Sequence, residues 1–223
     1  MDERAKWESR YQRASEPVYG REPSEFLVRS LPLLPPPGRC LDVAGGEGRN
    51  AVFLARQGWQ VVLLDVAIAG LARARTLGGT GGARAALVAG DSGALPLRPG
   101  GVRFDLVLVT NFHDRELVAA AGSWLAPGGA LVVEGFSLDQ LGRQSGGPPD
   151  PALLWKPNEL LRLPAGLRVV WYEDRLVDGD DNPCHRGPKW VVRLVARSRT
   201  GCRFGGLSST GCSVAVLGLG FAT

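Results

Sequence analysis

Between residues 40 and 133 the chain repeats one rhythm: a short unbroken apolar run, then a stretch with helical spacing. Runs of that kind read as strands buried on both faces, the situation of a parallel sheet covered by helices on either side. The strands expected are residues 39–43, 60–64, 85–89, 104–109 and 130–133. The helices between them run from a glycine loop to Gln57, over 68–77 and over 115–125, with Gly58, Gly78-Gly79 and Pro127-Gly-Gly129 marking their ends. Past Gly135 the rhythm changes. A Gly/Pro-rich stretch over 139–151 reads as a long loop, and a short helix over 158–163 precedes two more strands, 167–172 and 190–196. The segment 178–188 is too short for a helical crossover, so that last pair should be an antiparallel hairpin. The fold class expected is α/β: a seven-stranded, mostly parallel sheet with an antiparallel last hairpin and helices on both faces.

Residues 1–38 read as a helical leading segment or lid, anchored by Trp7, Tyr11 and Phe26-Leu27-Val28 and stopped by the prolines of Leu31-Pro-Leu-Leu-Pro-Pro-Pro-Gly38. Residues 39–197 make the α/β domain. The Gly/Ser-rich tail, 198–223, carries one charge after Arg199, at Arg203, and is expected outside the domain, poorly ordered or loosely attached.

A chain of 223 residues with 44% hydrophobic and 22% charged residues suits one globular domain. Its net charge of +4 comes almost wholly from scattered arginines, the lysines being Lys6, Lys156 and Lys189. Scattered charge favours an anionic small-molecule substrate over nucleic acid, which calls for a concentrated basic stripe. No apolar run approaches the roughly 20 residues that span a bilayer, and the charged start Met-Asp-Glu-Arg lacks a signal region. The expectation is a cytoplasmic protein, monomer or homodimer, without membrane contact. Cys40, Cys184, Cys202 and Cys212 form no CxxC pair, so no metal site is expected.

Chemistry gathers at the strand ends, where ligands of an open parallel sheet bind. The loop Leu41-Asp-Val-Ala-Gly-Gly-Glu-Gly-Arg-Asn50 follows the first strand. Its glycines allow close approach of backbone to ligand, and a helix N-terminus opens beside them. Asp42 there would repel a pyrophosphate and welcome a cation. Asp65, Asp91 and Asn111 fall at the ends of the next strands. Each has a use if the ligand is S-adenosylmethionine. Gly45, Gly46 and Gly48, flanked by Ala44 and Asn50, would receive the methionine part, with Asp42 supporting its ammonium. Asp65 would bond the ribose hydroxyls, Asp91 with Ser92 the adenine amino group, and Asn111 would lie beside the methyl. Each acid alone also reads as a helix or turn cap. Asp105 opens its strand at the far end and reads as structural. Gly46-Glu-Gly48-Arg-Asn-Ala51 also fits the dinucleotide pattern GxGxxG/A, with Asp65 near the expected interval; Asp42 and Glu47 argue against a pyrophosphate there.

The run Leu41-Asp-Val-Ala-Gly-Gly-Glu-Gly-Arg-Asn-Ala-Val-Phe-Leu-Ala55 resembles the class I S-adenosylmethionine-dependent methyltransferases, and within them the tellurite-resistance (TehB-like) and small-molecule branch. Trp7-Glu-Ser-Arg-Tyr11, Tyr19-Gly-Arg-Glu-Pro-Ser-Glu-Phe-Leu27, Gly90-Asp91, Phe104-Asp-Leu-Val107 and Pro127-Gly-Gly129 are similar to the same branch, from Trp7 to Arg197. The resemblance implies a Rossmann-like fold and S-adenosylmethionine as cofactor. Two positions depart from it. Ala44-Gly45 stands where the branch has Gly-Cys, tolerable if Ala44 keeps a negative φ, and Ala67 replaces the Ser/Thr that caps the helix after Asp65, at about 1 kcal/mol.

Methyl transfer from a sulfonium draws its reactivity from the cofactor, and a soft nucleophile, a thiol or a tellurite- or selenite-type oxyanion, needs no strong base. Around the methyl the candidates are Tyr19, Arg21, His113, His185 and Arg186; arginines would hold an oxyanion by paired hydrogen bonds. His113 reads equally as a packed histidine, and His185-Arg186 as an exposed loop pair. Two other readings stand beside methyl transfer to a small molecule: a domain that binds the cofactor without turnover, and an NAD-dependent oxidoreductase.

Overall fold

The computed structural model describes residues 2–79, 85–94, 101–178 and 187–199. Two short helices lead, α1 (Glu3–Arg13) and α2 (Glu25–Ser30). The alternating part follows as β1 (Arg39–Val43), α3 (Arg49–Arg56), β2 (Gln60–Asp65), α4 (Ile68–Gly78), β3 (Ala86–Ala89), β4 (Phe104–Thr110), α5 (Arg115–Ala121) and β5 (Leu125–Phe136). It closes with β6 (Arg168–Val177) and β7 (Lys189–Arg197). All seven strands form one sheet in the order β3-β2-β1-β4-β5-β7-β6. The first five are parallel, and β7 runs antiparallel to both β5 and β6. This is the α/β class expected from the sequence, with its antiparallel last hairpin.

The apolar runs bury both faces of the central strands. In β4, Val107 and Val109 pack on one side with Leu117, Val118 and Trp155, while Leu106 and Leu108 pack on the other with Phe26, Leu54 and Leu63. The edge departs from the expectation of strands buried on both faces: Ala86, Val88 and Ala89 of β3 are exposed, because an edge strand has a neighbour on one side only. α5 ends at Ala121, short of the residue 125 expected, and β5 starts at Leu125 and runs through Pro127-Gly-Gly129. The pairing with β4 shifts register between Phe104 and Leu106, an irregularity that accommodates a proline unable to donate to the ladder. The helix expected over 158–163 is a single turn, Glu159–Leu161, hemmed in by Pro157, Pro164 and a left-handed Asn158 at φ 61°. The expectation for residues 200–223 lies outside the described residues.

The leading segment is tied to the sheet at several places. The Ala69 N–H donates to Glu8 Oε2 (3.1 Å) and the Ala67 N–H to Asp65 Oδ1 (2.8 Å). Thus α4, which Ala67 leaves without a side-chain cap, takes its acceptors from α1 and from the end of β2. Arg73 of α4 donates to the carbonyls of Ala14 and Glu16 and to Glu47 Oε1 (3.0 Å). Ser24, the N-cap of α2, donates through Oγ to buried Glu134, which also accepts from Arg193 Nε (2.9 Å).

Candidate functional site: a roofed cavity at the strand ends

β1 and β4 are neighbours, but their connections leave toward opposite edges of the sheet, which opens a crevice beyond their carboxyl ends. A cavity of about 580 Å³ lies there. The glycine loop forms its floor, Asp65, Asp91, Thr110, Asn111, Phe112 and Asp114 its walls, and Trp7, Tyr11 and Tyr19 of the leading segment its roof.

The loop needs its glycines for specific reasons. Gly46 and Gly48 are left-handed, at φ 56° and 79°. A Cβ on Gly46 would meet the Tyr11 hydroxyl at 2.5 Å, and one on Gly48 the Ala74 Cβ at 2.7 Å. Ala44 is also left-handed, at φ 52°, which corrects the expectation of a negative φ. An L-residue in that region costs roughly 1–2 kcal/mol. The turn is kept by the bonds around it: Gly45 N–H to the Leu64 carbonyl (3.1 Å), Gly48 N–H to the Gly45 carbonyl (2.9 Å) and Gly46 N–H to Asp65 Oδ2 (2.8 Å).

Asp65 is 6% exposed, and burial raises its carboxyl above the usual range against the opposing effect of its backbone donors. Oδ2 accepts the Gly46 N–H and Oδ1 the Ala67 N–H, and the residue lines the cavity; a carboxylate oxygen can accept more than one hydrogen bond. Asp42 stands beneath the loop and off the cavity wall. It is fully buried, and no donor completes a hydrogen bond to either oxygen, although the Ala51 N–H is oriented to favour its charge. Burial, with Asp65 adding to it, pushes this carboxyl up to about 7. Asp105 accepts the Arg39 N–H at 2.8 Å, the structural part expected of it.

Asn50 lines the cavity, but its amide is engaged: Oδ1 accepts the Ser24 N–H (2.8 Å) and Nδ2 donates to Thr110 Oγ1 (3.0 Å). Asp91 and Ser92 lie on the wall, with Asp91 Oδ1 accepting the Gly93 N–H of its own turn (2.9 Å). Asn111 is held left-handed at φ 54°, its N–H donating to the Glu134 carbonyl (2.8 Å), and faces the cavity beside Phe112.

Of the residues offered for the acceptor side, Tyr19 lines the cavity. Arg21 does not: it stands exposed, 3.6 Å from Glu16, outside the roof. His113 points away from the cavity and packs on Trp155 with ring centroids 4.2 Å apart. Its Nε2 is buried without a partner, and burial with Arg115 nearby lowers its pKa, which favours the neutral ring. His185 and Arg186 lie outside the described residues. Sequence reasoning missed Glu47 as a clasp. It accepts the Val18 N–H (2.6 Å) and pairs with Arg73, fastening roof to floor. Those partners lie 29 and 26 residues away, so no local pattern announces them. Among the described residues no group of His, Cys, Asp or Glu is arranged to hold a metal ion, and no helix is long and apolar enough to cross a membrane.

Residues 40–129 match a protein family described as a methyltransferase domain. A ribosomal RNA small subunit methyltransferase C from Alcanivorax borkumensis is 35% identical over 106 residues, 43% of this chain; the chain spans only 31% of that protein. Among solved structures, TehB from Haemophilus influenzae superposes with a TM-score of 0.61 at 17% identity, over 78% of this chain and 61% of TehB. The protein solved for the conversion of a disulfide into a thioacetal during echinomycin biosynthesis does so at 0.68 and 19%, over 90% and 93%. At these identities the solved structures speak for the fold.

Proposed function

We propose, from the premise that this chain carries a class I S-adenosylmethionine-dependent methyltransferase domain, that it transfers a methyl group from S-adenosylmethionine to a small-molecule acceptor. The observation that carries the reading is Asp65: a buried carboxylate at the end of β2, lining a cavity floored by the glycine loop and roofed by Tyr11. Vicinal ribose hydroxyls suit that pair of oxygens, and an acidic cavity suits a cofactor with a sulfonium and an ammonium. When bound, the cofactor supplies an electrophilic methyl on positive sulfur.

The chain's own residues have positioning and shielding to do. Left-handed Gly46 and Gly48 bring backbone close to the cofactor, Asp91 and Ser92 are set for a purine edge, and Asn111 with Phe112 borders the methyl side. Tyr11 and Trp7 stack at 5.6 Å over the cavity. Alignment of nucleophile, methyl and sulfur is the main contribution left to the protein.

The acceptor side supports a small molecule. Clasps from Glu8, Arg73 and Glu47 tie the leading segment down over a cavity of about 580 Å³, a volume within the range of small-molecule sites. Incubating the full chain with S-adenosylmethionine and either a panel of small amines, thiols and oxyanions or ribosomal RNA tests this. S-adenosylhomocysteine should form with a member of the panel and not with RNA. Formation with RNA alone overturns the small-molecule reading.

A further inference from the structure

The walls of the cavity carry charge of the opposite sign to the chain. The whole sequence is net +4, yet among the described residues six carboxylates line the cavity against two guanidiniums, Arg4 and Arg49. Arg49 is committed to carbonyls, donating to Tyr19 O (3.1 Å) and Glu22 O (3.3 Å) while its guanidinium packs over the Tyr19 ring. The neighbouring arginines are occupied as well. Arg21 stands outside with Glu16, Arg73 holds Glu47 and two carbonyls, and Arg115 pairs with Glu159 and donates to the Ala152 and Leu154 carbonyls. Against six carboxylates, Arg4 is the one lining guanidinium among the described residues left to an oxyanion or thiolate acceptor. The roof, by contrast, is aromatic: Trp7 lies 5.6 Å from Tyr11 and 6.3 Å from Tyr19, centroid to centroid, and Phe112 adds a ring from the wall. This roof already gathers cations of the chain itself: Arg10 lies 5.1 Å from the Trp7 centroid and 6.0 Å from that of Tyr19, and Lys6 Nζ 6.0 Å from Trp7, the attraction that rings beside carboxylates exert.

Asp65 and Asp91 are assigned above to the cofactor, Glu47 pairs with Arg73 and Glu3 with Lys6 (3.0 Å). Asp2 and Asp114 remain at the mouth. Each caps a helix by accepting one backbone N–H, from Arg4 (3.2 Å) and Leu117 (2.9 Å) respectively, and each lines the cavity. We infer that the acceptor is a planar small molecule bearing an amine, gathered by the aromatic roof and by the carboxylates Asp2 and Asp114. The inference rests on the methyltransferase reading and names its substrate class. The bound ammonium first loses a proton to solvent; the lone pair so freed on nitrogen forms the nitrogen–methyl bond as the methyl–sulfur bond breaks. That bond's electron pair stays on sulfur, giving the neutral thioether, and the surplus proton on nitrogen leaves to solvent.

A matched pair of probes tests the charge preference: tryptamine and indole-3-propionate, one ring with opposite charges. The full chain is first titrated with S-adenosylhomocysteine by calorimetry, and the loaded protein is then titrated with each probe. Tryptamine should bind at least tenfold more tightly, a difference of about 1.4 kcal/mol. The double variant Asp2→Asn, Asp114→Asn keeps both caps, since Asn caps as well as Asp, and should reduce the preference severalfold with stability unchanged. Equal binding, tighter binding of the propionate, or binding of neither probe overturns the inference. Failure of S-adenosylhomocysteine to bind counts instead against the proposed function, and the first titration keeps the two failures apart.

Discussion

Asp42 is the residue whose placement most changes its meaning. At the end of β1 it reads as a cation-attracting group on the ligand's side, and in the structure it is a fully buried carboxyl under the loop with no completed hydrogen bond. Its pH linkage has a definite sign. In the unfolded chain it ionises near 3.8 and in the fold near 7, raised first by burial and then by Asp65. The fold therefore prefers the protonated form. Below about pH 4 both states are protonated and the group costs nothing; from there to about pH 7 the unfolded state gains by ionising, and stability falls. At about 1.4 kcal/mol per pH unit this cost has an upper bound of roughly 4 kcal/mol above neutrality. The isosteric Asp42→Asn should thus be more stable than the parent at pH 8, with the gain vanishing near pH 4. Urea unfolding at both pH values measures it, and a gain of equal size at the two would show that the charge of Asp42 is not the cause. Ala44 adds a second local cost, its left-handed backbone being one that glycine adopts freely. Both residues show the limit of reading a loop from sequence: spacing marks Asp42 and Ala44 as belonging to one turn, but burial depth and the sign of φ are set by the fold around that turn, where Leu63, Tyr11 and Ala74, remote in the chain, close on Gly45, Gly46 and Gly48.

At the scale of elements, the sheet was the legible part. Unbroken apolar runs with helical intervals define β1, β2 and β4 because both faces of those strands are buried, and the short link before β7 requires an antiparallel return. What stayed hidden depends on contacts between elements. β5 begins at Leu125 because Phe104 pairs with it across a register shift, whereas the local sequence there reads as the end of a helix. The acceptor for the N-terminus of α4 comes from Glu8, 61 residues earlier, so Ala67 looked uncapped. Glu8 also ties α1, which carries the roof residues Trp7 and Tyr11, to α4, which separates its effect from that of an ordinary cap. Replacing Glu8 by Ala removes one helix-capping hydrogen bond, worth about 1 kcal/mol. Calorimetry should find S-adenosylhomocysteine binding weakened about fivefold, the same energy expressed as affinity. If urea unfolding shifts and the affinity does not, α1 stabilises the fold without closing the cavity.

For the whole molecule, the arrangement is a basic chain with an acidic, aromatic-roofed cavity at the switch point of its sheet. The strand-end acids were marked by their order along the chain, and Asp65 and Asp91 do face one cavity, as does Asn111. The roof was not foreseeable in the same detail, because Trp7, Tyr11 and Tyr19 come together only when α1 lies on α4 and Glu47 clasps Val18 and Arg73. The central claim is that this cavity takes S-adenosylmethionine rather than a dinucleotide. Isothermal titration of the full chain with S-adenosylmethionine and, separately, with NADH decides it most directly. The account predicts one S-adenosylmethionine per chain, binding abolished by Asp65→Ala, and no heat from NADH. Saturable binding of NADH with none of S-adenosylmethionine, or S-adenosylmethionine binding untouched by Asp65→Ala, would contradict it.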